Sequence, residues 1–385
     1  MNSQSYNLIN GNIITLNKHY PIANSITIHN NKIHSINSIN PSFESIDLDG
    51  ATILPGLTDS HFHLSNFGKR LEMINLKGIE SINEIVNKIS EKINNINKGD
   101  FVHGFGWDQT LWPDELYPTE DILNQFTDYP IILTRIDGHS LWANATAIKL
   151  SDYGDLLSSP KGGKIINSCI FIDNAMDPIR NIIPKNNSAD IKRWIKNAAN
   201  KAIEFGITNV HDAWQDQSIF DAINQLTIDN ELPIRCYGMI GASNIEFIEK
   251  ILSGGYHYNG NYTVRSVKAF IDGALGSRGA ALLEPYSDDP HNCGLTLITK
   301  EEFLDIAEQC NHHDFQLCTH AIGDKGNQIV IDTYSKYYKK DYRWRIEHAQ
   351  MITYDDMLRC KEFEIIPSMQ PSHCMSDMRW IENRI

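Results

Sequence analysis

Long apolar runs are missing from this sequence. No stretch approaches the ~18 consecutive apolar residues of a membrane span, so an integral membrane protein is not expected. The first residues, MNSQSYNLINGNIITLN, lack the charged start and apolar core of a secretory signal. Positive charge is scarce: 34 Lys and Arg stand against 48 Asp and Glu, a formal net charge of -14. That balance argues against a nucleic-acid groove or an anionic membrane surface as partner. The seven cysteines form no CxxC pair and no disulfide framework spacing, so they read as reduced thiols in a cytoplasmic protein. Low-complexity tracts are absent as well.

What is present is a globular composition, 41% hydrophobic and 21% charged, in a chain of 385 residues that can bury a large core. The first fifty or so residues read as short alternating strands. Tyr6 to Ile9 is followed by Asn10-Gly11-Asn12 and then Ile13 to Leu16, and Asn30-Asn31 separates Ser25 to Ile28 from Lys32 to Ile36. Such turns predict hairpins and a small antiparallel sheet.

From Ala51 the pattern changes. Thr52-Ile53-Leu54-Pro55-Gly56-Leu57 is nearly all apolar, as expected of a strand buried on both faces. Further apolar strands are expected at 207–210, 234–240, 264–271, 315–319, 344–347 and 364–369. Amphipathic helices lie between them. Thr299 with Glu302 reads as a capping box. Asp190 precedes Ile191, Trp194, Ile195, Ala198 and Ala202 on one helix face, with Gly206 placed to end it. Repeated β-α units predict a parallel α/β barrel, here with seven strands rather than eight. The stretch 65–187 is too long for a crossover, and it has its own helix, with Ser81 and Glu84 as a capping box, and its own strands near 101–105 and 131–134. The expected division is therefore a partial β-sandwich at 1–52, an incomplete barrel at 53–64 and 188–385, and an inserted subdomain at 65–187 over the barrel mouth.

Three strand ends carry histidine. His61 and His63 are two apart, so an extended backbone points both to one side. A solvated strand end is the plain alternative for a lone HxH. His320 and His348 end the fifth and sixth strands, where barrel enzymes keep their active sites. Neutral imidazole suits zinc and other borderline divalent metals. Lys268 is the second anomaly, a lysine inside the otherwise buried fourth strand. It either snorkels to water or, if buried, has a lowered pKa and a neutral amine. A neutral amine can add carbon dioxide to give a carbamate with two oxygens able to bridge metal ions.

Ile53-Leu54-Pro55-Gly56-Leu57-Thr58-Asp59-Ser60-His61-Phe62-His63 resembles the first-strand signature of the amidohydrolase superfamily. The finer resemblance is to its amidohydrolase-3, YtcJ-like branch. It rests on Gly104-Phe105-Gly106-Trp107, Asp137-Gly138-His139-Ser140 with Asn144, Gly206 to Asp212, Asp272 to Arg278, Thr319 to Asp324, Arg345 to Gln350 and Met369 to Asp377. The resemblance implies a TIM-like (β/α)8 metal-dependent hydrolase barrel. It implies His61, His63, Lys268, His320 and His348 as ligands of one or two divalent ions, zinc first among them, with a carbamate on Lys268. It also implies His139, Asp272, Arg278 and His373 as substrate-binding residues.

The implied reaction is hydrolysis of a non-peptide carbon–nitrogen bond, such as an N-acyl or N-formyl amine, in a small molecule. The superfamily's strand-eight aspartate, which shuttles the proton, has no counterpart up to Ile385. The expectation is thus a fragment holding most ligands but not the shuttle. Two alternatives stay open: a non-catalytic truncated homologue, and a mononuclear deaminase of the same superfamily. Substrate identity, metal count and oligomeric state are open too.

Overall fold

Pro55 has no amide hydrogen and cannot extend a ladder, and the chain changes sheet on either side of it. In the computed structural model, which describes residues 4–154 and 157–385, Thr52–Ile53 closes a small N-terminal sheet. Leu57–Phe62 (β1) opens a different, parallel one. The expected strand over 52–57 is therefore displaced toward the C-terminus. Leu57 is more than half exposed because β1 is an edge strand that, among the described residues, pairs only with its successor. The shift puts His61 within the end of β1 and His63 just past it.

The parallel sheet continues through Ile207–Gln215 (β2), Arg235–Gly241 (β3), Tyr262–Phe270 (β4), Gln316–Ala321 (β5), Arg345–His348 (β6) and Ile366–Ser368 (β7). The order β1-β2-β3-β4-β5-β6-β7 follows the sequence, every step is parallel, and β7 pairs only with β6 among the described residues. A short antiparallel strand, His257–Asn259, lies beside β4. Helices fill the connections. Lys300–His312 starts at the Thr299–Glu302 capping box, with Thr299 Oγ accepting from the Glu302 amide at 3.2 Å and Glu302 accepting from the Thr299 amide at 2.7 Å. These repeats make a seven-stranded α/β barrel of the TIM type with one gap in its ring.

The N-terminal region differs from expectation at one turn. Asn30 and Asn31, both at positive φ (51° and 62°), join Ile26–His29 to Lys32–Ile36 as a hairpin. Asn10-Gly11 does not do the same. Only Asn10 takes a positive φ (55°), and a side chain on Gly11 would meet Leu48. The chain there crosses between two sheets: Tyr6–Ile9 joins a four-stranded sheet, and Asn12–Ile14 a three-stranded one. Each sheet also contains a parallel pair, so neither is purely antiparallel. Ile13, Ala23 and Ile26 pack with Leu8, Ile28, Leu48 and Ile53 to form a core common to both.

The chain divides into two compact units, Met1–His63 with Ala199–Ile385, and Leu64–Ala198. The second has a six-stranded sheet that includes Val102–Trp107 and Ile131–Arg135. Its core gathers Trp107, Trp112, Trp142, Ile85, Ile89 and Leu133. Helix Ile82–Ile93 forms, but the Ser81 hydroxyl makes no capping bond. Burial of Ile85 and Ile89 on one face holds that helix where its cap does not.

Candidate metal centre

A side chain in the last positions of a barrel strand sits at the C-terminal rim, and β1, β5 and β6 each carry a histidine in one of their last two positions. The imidazoles of His61 and His63 stand with ring centroids 5.3 Å apart, His61 and His348 4.7 Å, and His320 and His348 4.6 Å. His373, on the helix after β7, stacks on His348 at 5.4 Å with 20° between the planes. His348 has φ +74° and Ala349 +44°, so the chain leaves β6 through two left-handed residues that carry side chains. Such strain concentrates at functional sites.

Lys268 lies within β4 and is fully buried, and its Nζ has no hydrogen-bond partner. It rests 4.5 Å from the centre of the Phe270 ring, which in turn lies 4.8 Å from His320. Burial lowers the amine from its ordinary 10.5 to about 8, with Arg345 acting the same way and Glu347 and Cys318 opposing. Burial, helped by the Lys268 charge, also keeps two imidazoles neutral. His320 is lowered to about 4, and His348, further depressed by His320 and His61, to about 2.

A carboxylate stands behind this cluster. Glu347 is fully buried and accepts from His61 Nδ1 at 2.6 Å. Arg345 Nε donates to its other oxygen at 2.7 Å. Burial would raise Glu347, but His61, Arg345 and Lys268 together bring it down to about 2. Arg345 also donates to the Ser60 carbonyl at 2.8 Å and meets His211 Nδ1 at 2.8 Å. Gln370 faces His348 Nδ1 at 2.5 Å.

The structure thus gathers His61, His63, His320 and His348 and sets Lys268 beside them. Among the described residues no three His, Cys, Asp or Glu side chains converge in ligating geometry. His61 is turned by its Nδ1 toward Glu347, and Lys268 is not of those four types. The donor chemistry still suits a divalent cation: neutral imidazoles and a buried amine without a partner.

The other residues singled out in the sequence are placed differently. Asp272 is fully buried and accepts from the amides of Ala281 (3.0 Å), Ile322 (2.9 Å) and Gly323 (2.8 Å). It pins the loop after β4 to the end of β5. Burial, only partly offset by those amides, raises its pKa to about 6. Arg278 grips Asp288 through Nε at 2.9 Å and Nη2 at 2.8 Å. His139 belongs to the second unit, exposed and 3.0 Å from Asp173.

Sequence reading gave no role to Arg345, Glu347, Gln370 or His211, although all four lie in motifs already singled out. The available signal was two opposite charges two residues apart in a strand otherwise fit for burial.

A parallel barrel whose strand ends carry clustered imidazoles belongs to the α/β barrels that hold their chemistry at the C-terminal rim. The amidohydrolase family profile matches residues 44–385, and the chain belongs to that family in its amidohydrolase-3 form. The chain is 28% identical over 360 residues to the putative amidohydrolase YtcJ of Bacillus subtilis, covering 90% of this chain and 67% of that one. It is 21% identical over 379 residues to the N-substituted formamide deformylase of Arthrobacter pascens, covering 89% and 68%. The crystal structure of an uncharacterized metal-dependent hydrolase from Pyrococcus horikoshii superposes with a TM-score of 0.82 at 29% identity, covering 99% of this chain and 77% of that one. This chain is accordingly a hydrolase of carbon–nitrogen bonds whose family points to a divalent metal.

Proposed function

We propose that this protein hydrolyses the amide-type bond of a small N-acyl or N-formyl amine. His61, His63, Lys268, His320 and His348 would hold one or two divalent ions, zinc first among them. One observation carries the reading: the Lys268 amine is fully buried without a hydrogen-bond partner, close enough for its charge to act on His320 and His348. A buried amine without a partner is costly unless something meets it. Attack of neutral Nζ on carbon dioxide, with loss of one proton, turns that amine into a carbamate with two donor oxygens. When bound there, a divalent ion supplies Lewis acidity toward the carbonyl and a more acidic water.

The chain's own residues supply the rest. The neutral imidazoles of His320 and His348 present lone pairs. Among the residues proposed to meet substrate, His373 is half-buried against His348, and the side chains of Arg278 and His139 are partly or well exposed. Asp272 acts through the loop that it ties down. The name of the Arthrobacter relative supports an N-formyl amine as the first substrate to try.

The test is release of amine from a panel of N-formyl and N-acyl amines by the zinc-loaded chain. We expect release that a chelator abolishes. Absence of any release from zinc-loaded protein would contradict the hydrolytic reading.

A further inference from the structure

Arg345 and Glu347 are two apart on β6 and face the same side, into the barrel. Both are buried, at 5% and 0% exposure. Burying two opposite charges is expensive unless their hydrogen bonds are filled, and here they are filled in a directed way. Arg345 spends Nε on one oxygen of Glu347, at 2.7 Å, and its Nη groups on Ser60 O and His211 Nδ1, each at 2.8 Å. The second oxygen of Glu347 is left for His61 Nδ1, at 2.6 Å. Ser60 is the residue before His61, so the pair grips β1 by its backbone and by its histidine ring at once.

Resting on the metal-centre reading above, we propose that Arg345 and Glu347 are positioning residues for that centre. Arg345 locks Glu347, and Glu347 holds the Nδ1–H of His61, so that Nε2 is the nitrogen offered to a divalent cation. An ionised carboxylate only accepts, so a ring nitrogen at 2.6 Å from it must carry the hydrogen. In a neutral ring the other nitrogen is then left with its lone pair outward. A carboxylate behind a ligating histidine fixes the tautomer and raises the ring's basicity, and loss of such a partner costs about 10- to 100-fold in metal affinity. A purely structural ion pair between β6 and β1 would fix the strands without fixing the tautomer.

The test uses the full 385-residue chain and two readouts. Nitrogen-15 NMR of histidine-labelled, metal-free protein at about pH 8, where free imidazole is neutral, reports the tautomer of His61, assigned against His61→Gln. We expect protonated Nδ1 in the unaltered chain, and loss of that preference in Glu347→Leu. Titration with cobalt(II), followed by its visible absorption, reports affinity. We expect Glu347→Gln, which keeps the size and an acceptor but not the charge, to bind about 10- to 100-fold more weakly. Bare Nδ1 in the unaltered chain would overturn the proposal without any variant having to fold. Unchanged cobalt affinity in Glu347→Gln would overturn it while leaving the metal centre standing. Failure of the unaltered chain to take up cobalt at all would overturn the metal centre, and the proposal with it.

Discussion

His103 sits on the strand Val102–Trp107 between two buried neighbours, its ring parallel to that of Phe101 at 5.8 Å and 7°. Burial, with smaller contributions from Lys69 and Lys92, lowers its pKa from 6.5 to about 4. The folded state therefore resists a proton that the unfolded chain accepts near 6.5. That contribution to stability is complete above ~6.5 and is lost as pH falls toward ~4. It amounts to about 3 kcal/mol at most. Urea unfolding at several pH values should show His103→Phe gaining on the unaltered chain as pH drops from 6.5 to 4. A difference that does not change with pH would contradict this.

At the same scale, ligand-type residues at the ends of apolar strands were legible in the sequence: His61, His320, His348 and the lysine inside β4. Their company was not. Glu347 finds His61 across 286 positions of sequence, and Arg345 finds His211 across 134. No local spacing encodes such pairings.

Helices Leu64–Glu72 and Ser188–Glu204 meet at a glycine. A Cβ on Gly68 would lie 1.9 Å from the carbonyl oxygen of Trp194 and 2.7 Å from its Cα. The contact is backbone on backbone, so no side chain can rotate away. Four residues on, Glu72 accepts from Arg193 Nε (2.7 Å), Arg193 Nη2 (3.0 Å), Trp194 Nε1 (2.8 Å) and Asn197 (3.2 Å). On an exposed helix face, Gly to Ala would stabilise by up to about 1 kcal/mol. Here Gly68→Ala should destabilise by about 3 kcal/mol, read as a lower urea midpoint. A midpoint equal to or above that of the unaltered chain would contradict the packing.

Elements as such were well marked in the sequence. The Thr299 capping box and the apolar stripe from Ile191 to Ala202 are both present as expected. The misplaced elements have separate causes. Asn10-Gly11 turns between sheets because Leu48 fills the space beside Gly11. Pro55 splits an apolar run that otherwise reads as one strand.

For the whole molecule, the count of seven parallel strands in sequence order followed from apolar runs separated by helices. The exposure of Leu57 did not, because a strand buried on both faces and one exposed at an edge can carry the same apolar letters. Four strands, β1, β4, β5 and β6, contribute to one cluster at the rim, and the central claim is that this cluster is a metal centre bridged through Lys268. The most direct measurement is metal content after zinc loading and desalting, together with carbon-13 NMR of protein equilibrated with labelled bicarbonate. The account predicts about two ions per chain, as in bridged two-metal sites, and a carbamate signal that disappears in Lys268→Ala along with at least one ion. Zinc uptake that is the same in Lys268→Ala, with no labelled carbamate in the unaltered chain, would contradict it.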